Sequence, residues 1–356
     1  MSRRVLAPTL DGMLKIDTHA HLLPRDWPDL ARRFDEPRFP VMHHRDGRHL
    51  IYKNGQFFRE VWHSAFDPAL RIAAYAKHGV DVQVVSTVPV LFSYWARGEQ
   101  ALELHRFLND DMAQVCADYP DHYAGLGTVP LQAPTLAIRE LQRCIGELGL
   151  SGVQIGSHCN DWNLDAPELF EFFQAAAELG AAVLVHPWDM MGRETMPKYW
   201  LPWLVGMPAE QARAACSLIF GGVLERLPGL RVMLAHGGGS FVFTLGRIAH
   251  GFAMRPDLVA VDNDRDPREY LQRLYFDSCV HDNRALRWLI EAVGEDRVML
   301  GTDYPFPLGE QNPGQGIEAL DLNQRGRERL FSGTALEWLG LDPSRFVSSR
   351  NLADAS

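Results

Sequence analysis

Five side chains that could bind a metal ion or transfer a proton each stand at or near the end of a short apolar run. They are His19, His21, His186, His236 and Asp303. Neutral imidazole and carboxylate groups are ligands that divalent metals such as zinc accept. If the apolar runs are parallel strands of one barrel, their ends meet at the face where such barrels carry their active sites. The pattern therefore predicts a catalytic metal site.

The first two histidines form a His-x-His pair. Side chains alternate between the two faces of a strand, so Asp17, His19 and His21 would share one face. Two neighbouring imidazoles on one face can bind the same ion. The chain has 14 histidines, and an isolated pair would be interpreted as ordinary core or surface residues. A metal site is favoured because histidine or aspartate also stands at the ends of other predicted strands.

The composition is that of an ordinary soluble globular protein. The chain has 356 residues, 46% hydrophobic and 22% charged, with a net charge of -10 and a pI near 5.8. This acidic balance, without a cluster of Lys and Arg, does not favour nucleic-acid binding. We find no signal peptide and no run of the roughly 20 apolar residues that a membrane helix needs, so we expect a cytoplasmic protein. The cysteines are scattered and never spaced C-x-x-C, which argues against disulfides and a thiolate zinc site.

Strand-like and helix-like segments alternate from one end of the chain to the other. About eight strands alternate with helices, which is typical of a parallel α/β architecture. One helix is clearly delimited, because Asp67 and Pro68 favour its start and Gly79 its end. Since the chemical groups lie at strand ends, we predict a (β/α)8 barrel that forms a single domain over residues 1–356. A doubly wound open sheet is the alternative, but no Gly-rich phosphate loop follows the first strand.

Two segments interrupt the alternation, and both leave strand ends that carry candidate ligands. Residues 22–66 form an insertion after the first strand, and within it residues 50–58 predict a hairpin, because Asn54-Gly55 favours a type I′ turn. Residues 187–208 form a second insertion, rich in Trp, Met and Pro. Long structured loops at such places are usually functional, so we expect both insertions to wall the active site.

These features, together with several longer motifs, resemble the amidohydrolase superfamily, and within it the family of 2-amino-3-carboxymuconate-6-semialdehyde decarboxylases. His-x-His alone would indicate only the superfamily, whereas the Trp-rich insertion and the segment around Asp303 are far more specific. The resemblance begins near Met13 and covers nearly the whole chain. The matching segments are residues 16–24, 27–30, 86–96, 152–156, 186–190, 198–208, 235–239, 250–257 and 300–310.

The resemblance favours one metal ion over two. Two-metal members of the superfamily usually bridge their ions with a carboxylated lysine at the end of the fourth strand, and residues 152–158 contain no lysine. A four-ligand set would leave a position for water, whose pKa a divalent metal lowers to roughly 7. No organic cofactor is needed. The groups that would hold the single zinc ion are His19, His21, His186 and Asp303.

His236 is left to act on that water as a general acid or base near neutral pH, alongside the ligand Asp303. A fifth ligand or a purely structural donor is the alternative role for His236. The resemblance further implies that Arg59 and Lys53 bind substrate carboxylates. A dianionic substrate needs fixed cations, and Arg binds a carboxylate with two hydrogen bonds.

The resemblance also assigns residues to the wall of the pocket and to a dimer interface. It implies that Trp200 and Phe306 line the pocket, and that Arg247 and Arg255 reach it from the neighbouring subunit of a homodimer. Taken alone, the two distal arginines would be interpreted as solvated surface residues. We expect no membrane or nucleic-acid partner.

The expected reaction is the non-oxidative loss of CO2 from 2-amino-3-carboxymuconate-6-semialdehyde, giving 2-aminomuconate semialdehyde. Such a step would serve the breakdown of tryptophan through the kynurenine pathway or of nitroaromatic-derived aminophenols. Related decarboxylases of hydroxybenzoates, and hydrolases of a lactone or amide ring, are the rival enzymes. A non-catalytic metal-binding scaffold is a third possibility, but it would not require His236.

Overall fold

The strands of the described residues form a parallel β-barrel and a small antiparallel sheet. The computed structural model describes residues 12–346. The strands within these residues, in chain order β1 to β11, are Ile16–His21, Val41–Arg45, Arg48–Lys53, Gln56–Val61, Val82–Ser86, Tyr123–Thr128, Gly152–Gly156, Ala182–His186, Arg231–Leu234, Leu274–Asp277 and Val298–Met299.

Helices follow the barrel strands and cover their outer side. Within residues 12–346, no helix is both long and apolar enough to span a membrane. The α-helices of the described residues, α1 to α13, are Leu30–Phe34, Pro68–Ala76, Gly98–Asp118, Pro134–Gly146, Pro167–Glu178, Met207–Phe220, Val223–Arg226, Phe241–Met254, Pro256–Val259, Asn283–Val293, Gln315–Glu318, Gln324–Glu328 and Thr334–Leu339.

The barrel sheet has the order β1-β5-β6-β7-β8-β9-β10-β11, and its paired neighbours are parallel. Backbone hydrogen bonds join the first strand to the segment after the last. The Asp303 N–H donates to the His19 carbonyl at 2.7 Å, and the His21 N–H donates to the Tyr304 carbonyl at 2.7 Å. The predicted (β/α)8 barrel is therefore confirmed. The single domain predicted for residues 1–356 stays a prediction, because residues 1–11 and 347–356 lie outside the described part.

Local sequence signals explain several helix boundaries. The Asp67 carboxylate accepts a hydrogen bond from the Leu70 N–H at 2.9 Å, and Pro68 occupies the first turn of α2, as predicted. Two consecutive helices, α6 and α7, precede β9. Gly222 lies between them with φ +68°, a left-handed conformation that interrupts a right-handed helix.

The insertion after β1 folds as the antiparallel sheet β2-β3-β4. The predicted hairpin is β3-β4, and its turn residues Asn54 and Gly55 have φ +54° and +67°, as a type I′ turn requires. The strand β2 was not predicted, because its residues are mostly polar and half-exposed or exposed. A second turn of the same kind, Asp46-Gly47, joins β2 to β3 with φ +53° and +74°.

Candidate metal centre and active site

Four of the predicted side chains converge at one end of the barrel. One ligand atom from each lies within 4.8 Å of the others, and all four side chains are buried. Two of them belong to β1, one ends β8, and the carboxylate lies four residues beyond β11. These residues are His19, His21, His186 and Asp303.

The donor atoms of this group suit a metal ion. His21 Nε2 lies 3.0 Å from one Asp303 oxygen, and His19 Nε2 lies 3.6 Å from the same oxygen. The Nε2 atoms of His19 and His186 are buried and have no hydrogen-bond partner among the described residues. Buried polar atoms without partners are costly, and a bound cation would satisfy these. Imidazole nitrogens with one carboxylate form a ligand set typical of zinc and similar divalent metals.

Each imidazole is oriented by a hydrogen bond on its other nitrogen. The Nδ1 of His19 lies 2.7 Å from a carboxylate oxygen of Asp277. The Nδ1 of His21 lies 2.9 Å from the Thr87 carbonyl, and that of His186 lies 2.8 Å from the Pro187 carbonyl. Because these oxygens only accept, each Nδ1 donates and each Nε2 keeps a lone pair. Such outer contacts orient metal ligands in proteins.

The electrostatics of the group keep its acids ionised and two of its imidazoles neutral. Burial lowers the pKa of His21, and burial together with neighbouring imidazoles lowers that of His186 well below 6.5. Burial also disfavours protonated His19, but the Asp277 carboxylate outweighs it and raises the pKa of that imidazole. Burial opposes ionisation of Asp277 and Asp303, yet the neighbouring imidazoles lower the pKa of both carboxyls.

His236 lies beside the four converging residues and is not one of them. Its ring centre is 5.1 Å from those of His19 and His186, and its Nε2 lies 3.5 Å from an Asp303 oxygen. The His236 side chain is 17% exposed, whereas that of His19 is fully buried. A partly exposed imidazole next to the converging residues can exchange a proton with a molecule bound there.

A cavity of about 580 Å³ opens in front of the centre, and the two insertions wall it. Lys53 and Arg59 line it from the first insertion, and Trp200 lines it from the second. The Arg59 guanidinium carbon lies 4.5 Å from the ring centre of Phe306, which also lines the cavity. Burial lowers the pKa of Lys53. All four predicted pocket residues thus face the same space, where two cations suit an anionic ligand.

The two remaining arginines lie elsewhere. Arg247 is exposed on α8, and Arg255 is exposed at the end of that helix, where it pairs with Asp257 at 2.7 Å. Neither lines the cavity of its own chain. Their predicted contribution to the neighbouring subunit's site stays a prediction.

Asp277 was missed by the sequence analysis. It ends β10 and is fully buried behind His19. The signal was present, because the apolar run Leu274-Tyr275-Phe276 precedes a carboxylate, much as the apolar run before Asp303 does. Reading every acidic residue at a strand end as a site candidate would have found it.

The sequence matches the amidohydrolase family over residues 16–341. It is 52% identical to the 2-amino-3-carboxymuconate-6-semialdehyde decarboxylase of Dictyostelium discoideum, with 94% of each chain covered. It is 37% identical to the Caenorhabditis elegans enzyme of the same name, with 92% of this chain and 94% of the relative covered. A gamma-resorcylate decarboxylase of Rhodococcus jostii is 27% identical, over 77% of this chain and 87% of the relative.

Solved structures share the fold. The 5-carboxyvanillate decarboxylase of Sphingomonas paucimobilis superimposes with a TM-score of 0.77 at 24% identity, covering 93% of this chain and 100% of that one. A manganese-bound dihydroxybenzoic acid decarboxylase of a Polaromonas species gives a TM-score of 0.74 at 20% identity, covering 94% and 99%. The relatives at 52% and 37% identity show a carboxy-lyase, and the converging side chains give it a candidate metal centre. The chain belongs to the amidohydrolase family and, within it, to the 2-amino-3-carboxymuconate-6-semialdehyde decarboxylases.

Proposed function

We propose that this enzyme converts 2-amino-3-carboxymuconate-6-semialdehyde to 2-aminomuconate semialdehyde by non-oxidative loss of CO2, with one zinc ion per chain. The observation that carries the proposal is the placement of Lys53 and Arg59 in one cavity with the four-residue metal centre. Two fixed cations match a substrate with two carboxylates, one to be held and one to be lost. The names of the relatives at 52% and 37% identity support the same substrate.

The metal would be held by the three buried imidazoles and Asp303. When bound, a divalent ion supplies Lewis acidity, which polarises substrate oxygens and lowers the pKa of a water molecule to roughly 7. Asp277, Thr87 and Pro187 orient the imidazoles so that their Nε2 lone pairs face the centre. The ion therefore meets preoriented ligands.

The other residues bind the substrate and move a proton. Arg59 and Lys53 fix the carboxylates, while Trp200 and Phe306 exclude water from the carbon chain. The bond from the carbon chain to one carboxylate breaks, CO2 leaves, and the electron pair stays on the carbon. His236 takes up a proton at Nε2 during the reaction and returns one to that carbon. The reaction consumes one carboxylate and one proton, and it forms one C–H bond and one molecule of CO2.

We also propose a homodimer in which Arg247 and Arg255 reach the partner's cavity. Exposed apolar side chains occur along the same stretch, with Phe243 80% exposed, Met254 64% and Leu258 63%. Exposed apolar groups of this size beside cations are typical of surfaces that become buried on association. The dimer would add cations to a cavity that opens near the surface.

The test is CO2 release from a panel of acids, measured with zinc-loaded enzyme. We expect rapid release from 2-amino-3-carboxymuconate-6-semialdehyde and at least a hundredfold lower kcat/KM for gamma-resorcylate and 5-carboxyvanillate. Faster turnover of a hydroxybenzoate would assign the enzyme to the rival decarboxylases. Ring opening of a lactone without CO2 release would make it a hydrolase.

Metal removal gives a separate prediction. Because the four-ligand group is compact, elemental analysis of active enzyme should find about one divalent ion per chain. Chelation should abolish CO2 release but leave the far-ultraviolet circular dichroism largely unchanged, since the barrel core does not include the ion. Two ions per active chain would contradict the single-metal site.

A further inference from the structure

Asp277 is a fully buried carboxylate directly behind the metal centre, at the end of β10. One of its oxygens, Oδ2, accepts from His19 Nδ1 at 2.7 Å and from the His236 backbone N–H at 2.8 Å. The other, Oδ1, accepts from the backbone N–H groups of Gly237 at 2.8 Å and Cys279 at 3.1 Å. A single oxygen atom therefore contacts both a predicted metal ligand and the predicted acid–base residue.

The backbone around His236 is shaped to receive this carboxylate. His236 has φ +56°, and the three glycines after it, Gly237 to Gly239, have φ +59°, +73° and +58°. A non-glycine residue adopts such a conformation only where its surroundings hold it. Successive N–H groups in this kind of turn form a concave site for an anion, and here Asp277 occupies it. The strained conformation fixes where the His236 side chain leaves the backbone.

Gly301 packs directly against Asp277 and His19. A Cβ atom on Gly301 would lie 2.6 Å from the Cβ of Asp277 and 3.0 Å from that of His19. Glycine at this position lets the last strand approach, so that Asp277 and His19 stay in contact. If Asp277 served only to accept hydrogen bonds from the backbone of the turn that contains His236, it would not need to contact His19.

We infer that Asp277 is a positioning residue that acts on two groups at once. Through Oδ2 it fixes the tautomer and ring orientation of His19, so that Nε2 can bind the metal. Through both oxygens it holds the turn that aims His236 at the metal centre. Metal binding by His19 and proton transfer by His236 thus both depend on the Asp277 side chain. The inference about His236 in catalysis rests on the proposed function, whereas the inference about His19 rests only on the metal centre.

The substitution Asp277→Asn tests both actions with little change in volume. An amide has one oxygen, and its NH2 group cannot accept. If the NH2 replaces Oδ2, His19 and the His236 N–H lose their acceptor; if it replaces Oδ1, Gly237 and Cys279 lose theirs. In either orientation two of four donors face another donor. Tyr275→Phe is the matched control, because it removes the bond to Glu337 at 2.9 Å from the same strand, far from the centre.

Three measurements separate the outcomes. Competition with a chromogenic chelator should show zinc affinity lowered by about 10- to 100-fold in Asp277→Asn, the range for lost outer partners of metal ligands. Hydrogen exchange of the peptide over residues 235–240 should be at least tenfold faster. At saturating zinc, kcat for 2-amino-3-carboxymuconate-6-semialdehyde should stay at least tenfold low, with KM within threefold of the original. Tyr275→Phe should change none of the three, whatever it does to the melting temperature.

The results that overturn the inference are equally distinct. Unchanged zinc affinity in a folded Asp277→Ala protein, in which no acceptor is left for His19, would rule out the action on His19. Full recovery of kcat at saturating zinc, or unchanged exchange of residues 235–240, would rule out the action on His236. If the unaltered enzyme does not decarboxylate this substrate, the proposed function fails, but zinc affinity and hydrogen exchange still decide what Asp277 does.

Discussion

The acceptors behind the metal centre differ in kind from one imidazole to the next. His21 and His186 donate to backbone carbonyls, which are neutral and fixed by the strands, whereas His19 donates to a carboxylate. A charged acceptor makes the stronger hydrogen bond and increases the electron density of the ring. Of the three proposed imidazole ligands, His19 is therefore the one whose bond to a metal would depend most on a neighbouring side chain.

The role of His236 leads to a prediction for one substitution. His236→Ala should keep its zinc, because the converging group does not include this residue. It should lose about 100-fold or more in kcat, as expected when a general acid–base group is removed. Elemental analysis and steady-state kinetics on the same sample check both points. A variant that loses its metal would show that His236 is a ligand.

Residue types at strand ends allowed the metal centre to be predicted, but not its surroundings. A histidine or an acidic residue after an apolar run can be recognised from the sequence alone as a possible metal ligand. The role of Asp277 depends on a contact with His19 across 258 positions of the chain and on two backbone N–H groups. No local pattern encodes such contacts, because the barrel closure creates them.

The small antiparallel sheet is the element that brings cations to the cavity. Lys53 ends β3 and Arg59 lies in β4, on either side of the Asn54-Gly55 turn. The sequence predicted this hairpin but not its register, because a bulge shifts the pairing between Ile51 and Tyr52. A shift of one position reverses the face of every later side chain, so alternation alone could not place Arg59 in the cavity.

This arrangement predicts an effect of the turn on substrate binding. Gly55→Val should strain the turn by about 1–2 kcal/mol, because valine disfavours the left-handed conformation at φ +67°. No heavy atom lies within 4 Å of the added Cβ, so the effect would be one of backbone conformation. We expect KM to rise several-fold with zinc content unchanged, measured by kinetics and elemental analysis. Gly55→Asn is the control, and it should be close to the original, since asparagine tolerates this conformation.

The helix α3 carries a source of acid sensitivity. His105 is fully buried there, its Nε2 lies 3.0 Å from the Phe92 carbonyl, and burial lowers its pKa from 6.5 to about 4. The unfolded chain binds a proton at this imidazole more readily than the folded protein does. The stability that neutral His105 contributes to the fold is therefore fully present above about pH 6.5 and is lost as pH falls towards 4. This group should make the protein about 2 kcal/mol less stable at pH 5 than at pH 7.

The substitution His105→Gln tests whether this residue causes the loss of stability between pH 7 and pH 5. Glutamine can still donate to the Phe92 carbonyl but does not take up a proton in this range. Urea unfolding at pH 7 and pH 5 should show a smaller loss of free energy of unfolding in the variant than in the original protein. An equal loss in both would mean that other groups cause the acid sensitivity.

At the scale of the whole molecule, the proposed dimer predicts complementation. Arg59 lines the cavity of its own chain, whereas Arg247 is exposed outside it. Homodimers of Arg59→Ala and of Arg247→Ala should both be weak, because every site lacks one cation. In a mixed dimer one site would carry both lesions and the other neither, so activity should recover in proportion to the heterodimer fraction. Heterodimers as inactive as their parents would place both arginines in the same site.

The barrel as a whole was predictable because its strands read as buried apolar runs separated by helices with clear ends. The closure of the barrel was not predictable, because the backbone hydrogen bonds of β1 join it to the segment after β11 and not to a long paired strand. The final strand has only two residues, and it was recognised because an apolar run leads from it to Asp303.

That closure has a consequence for the synthesis of the enzyme. His21 and Asp303, which lie 3.0 Å apart in the folded barrel, are separated by 282 positions in the chain. A ribosome has made all three histidine ligands long before it reaches the carboxylate. Until then the nascent chain offers a metal ion only the imidazoles of this group, and the four-residue group is complete only when the last strand joins the first. A metal ion can therefore reach its final coordination only after the last strand has been synthesised, and a chain terminated before Asp303 lacks the complete site.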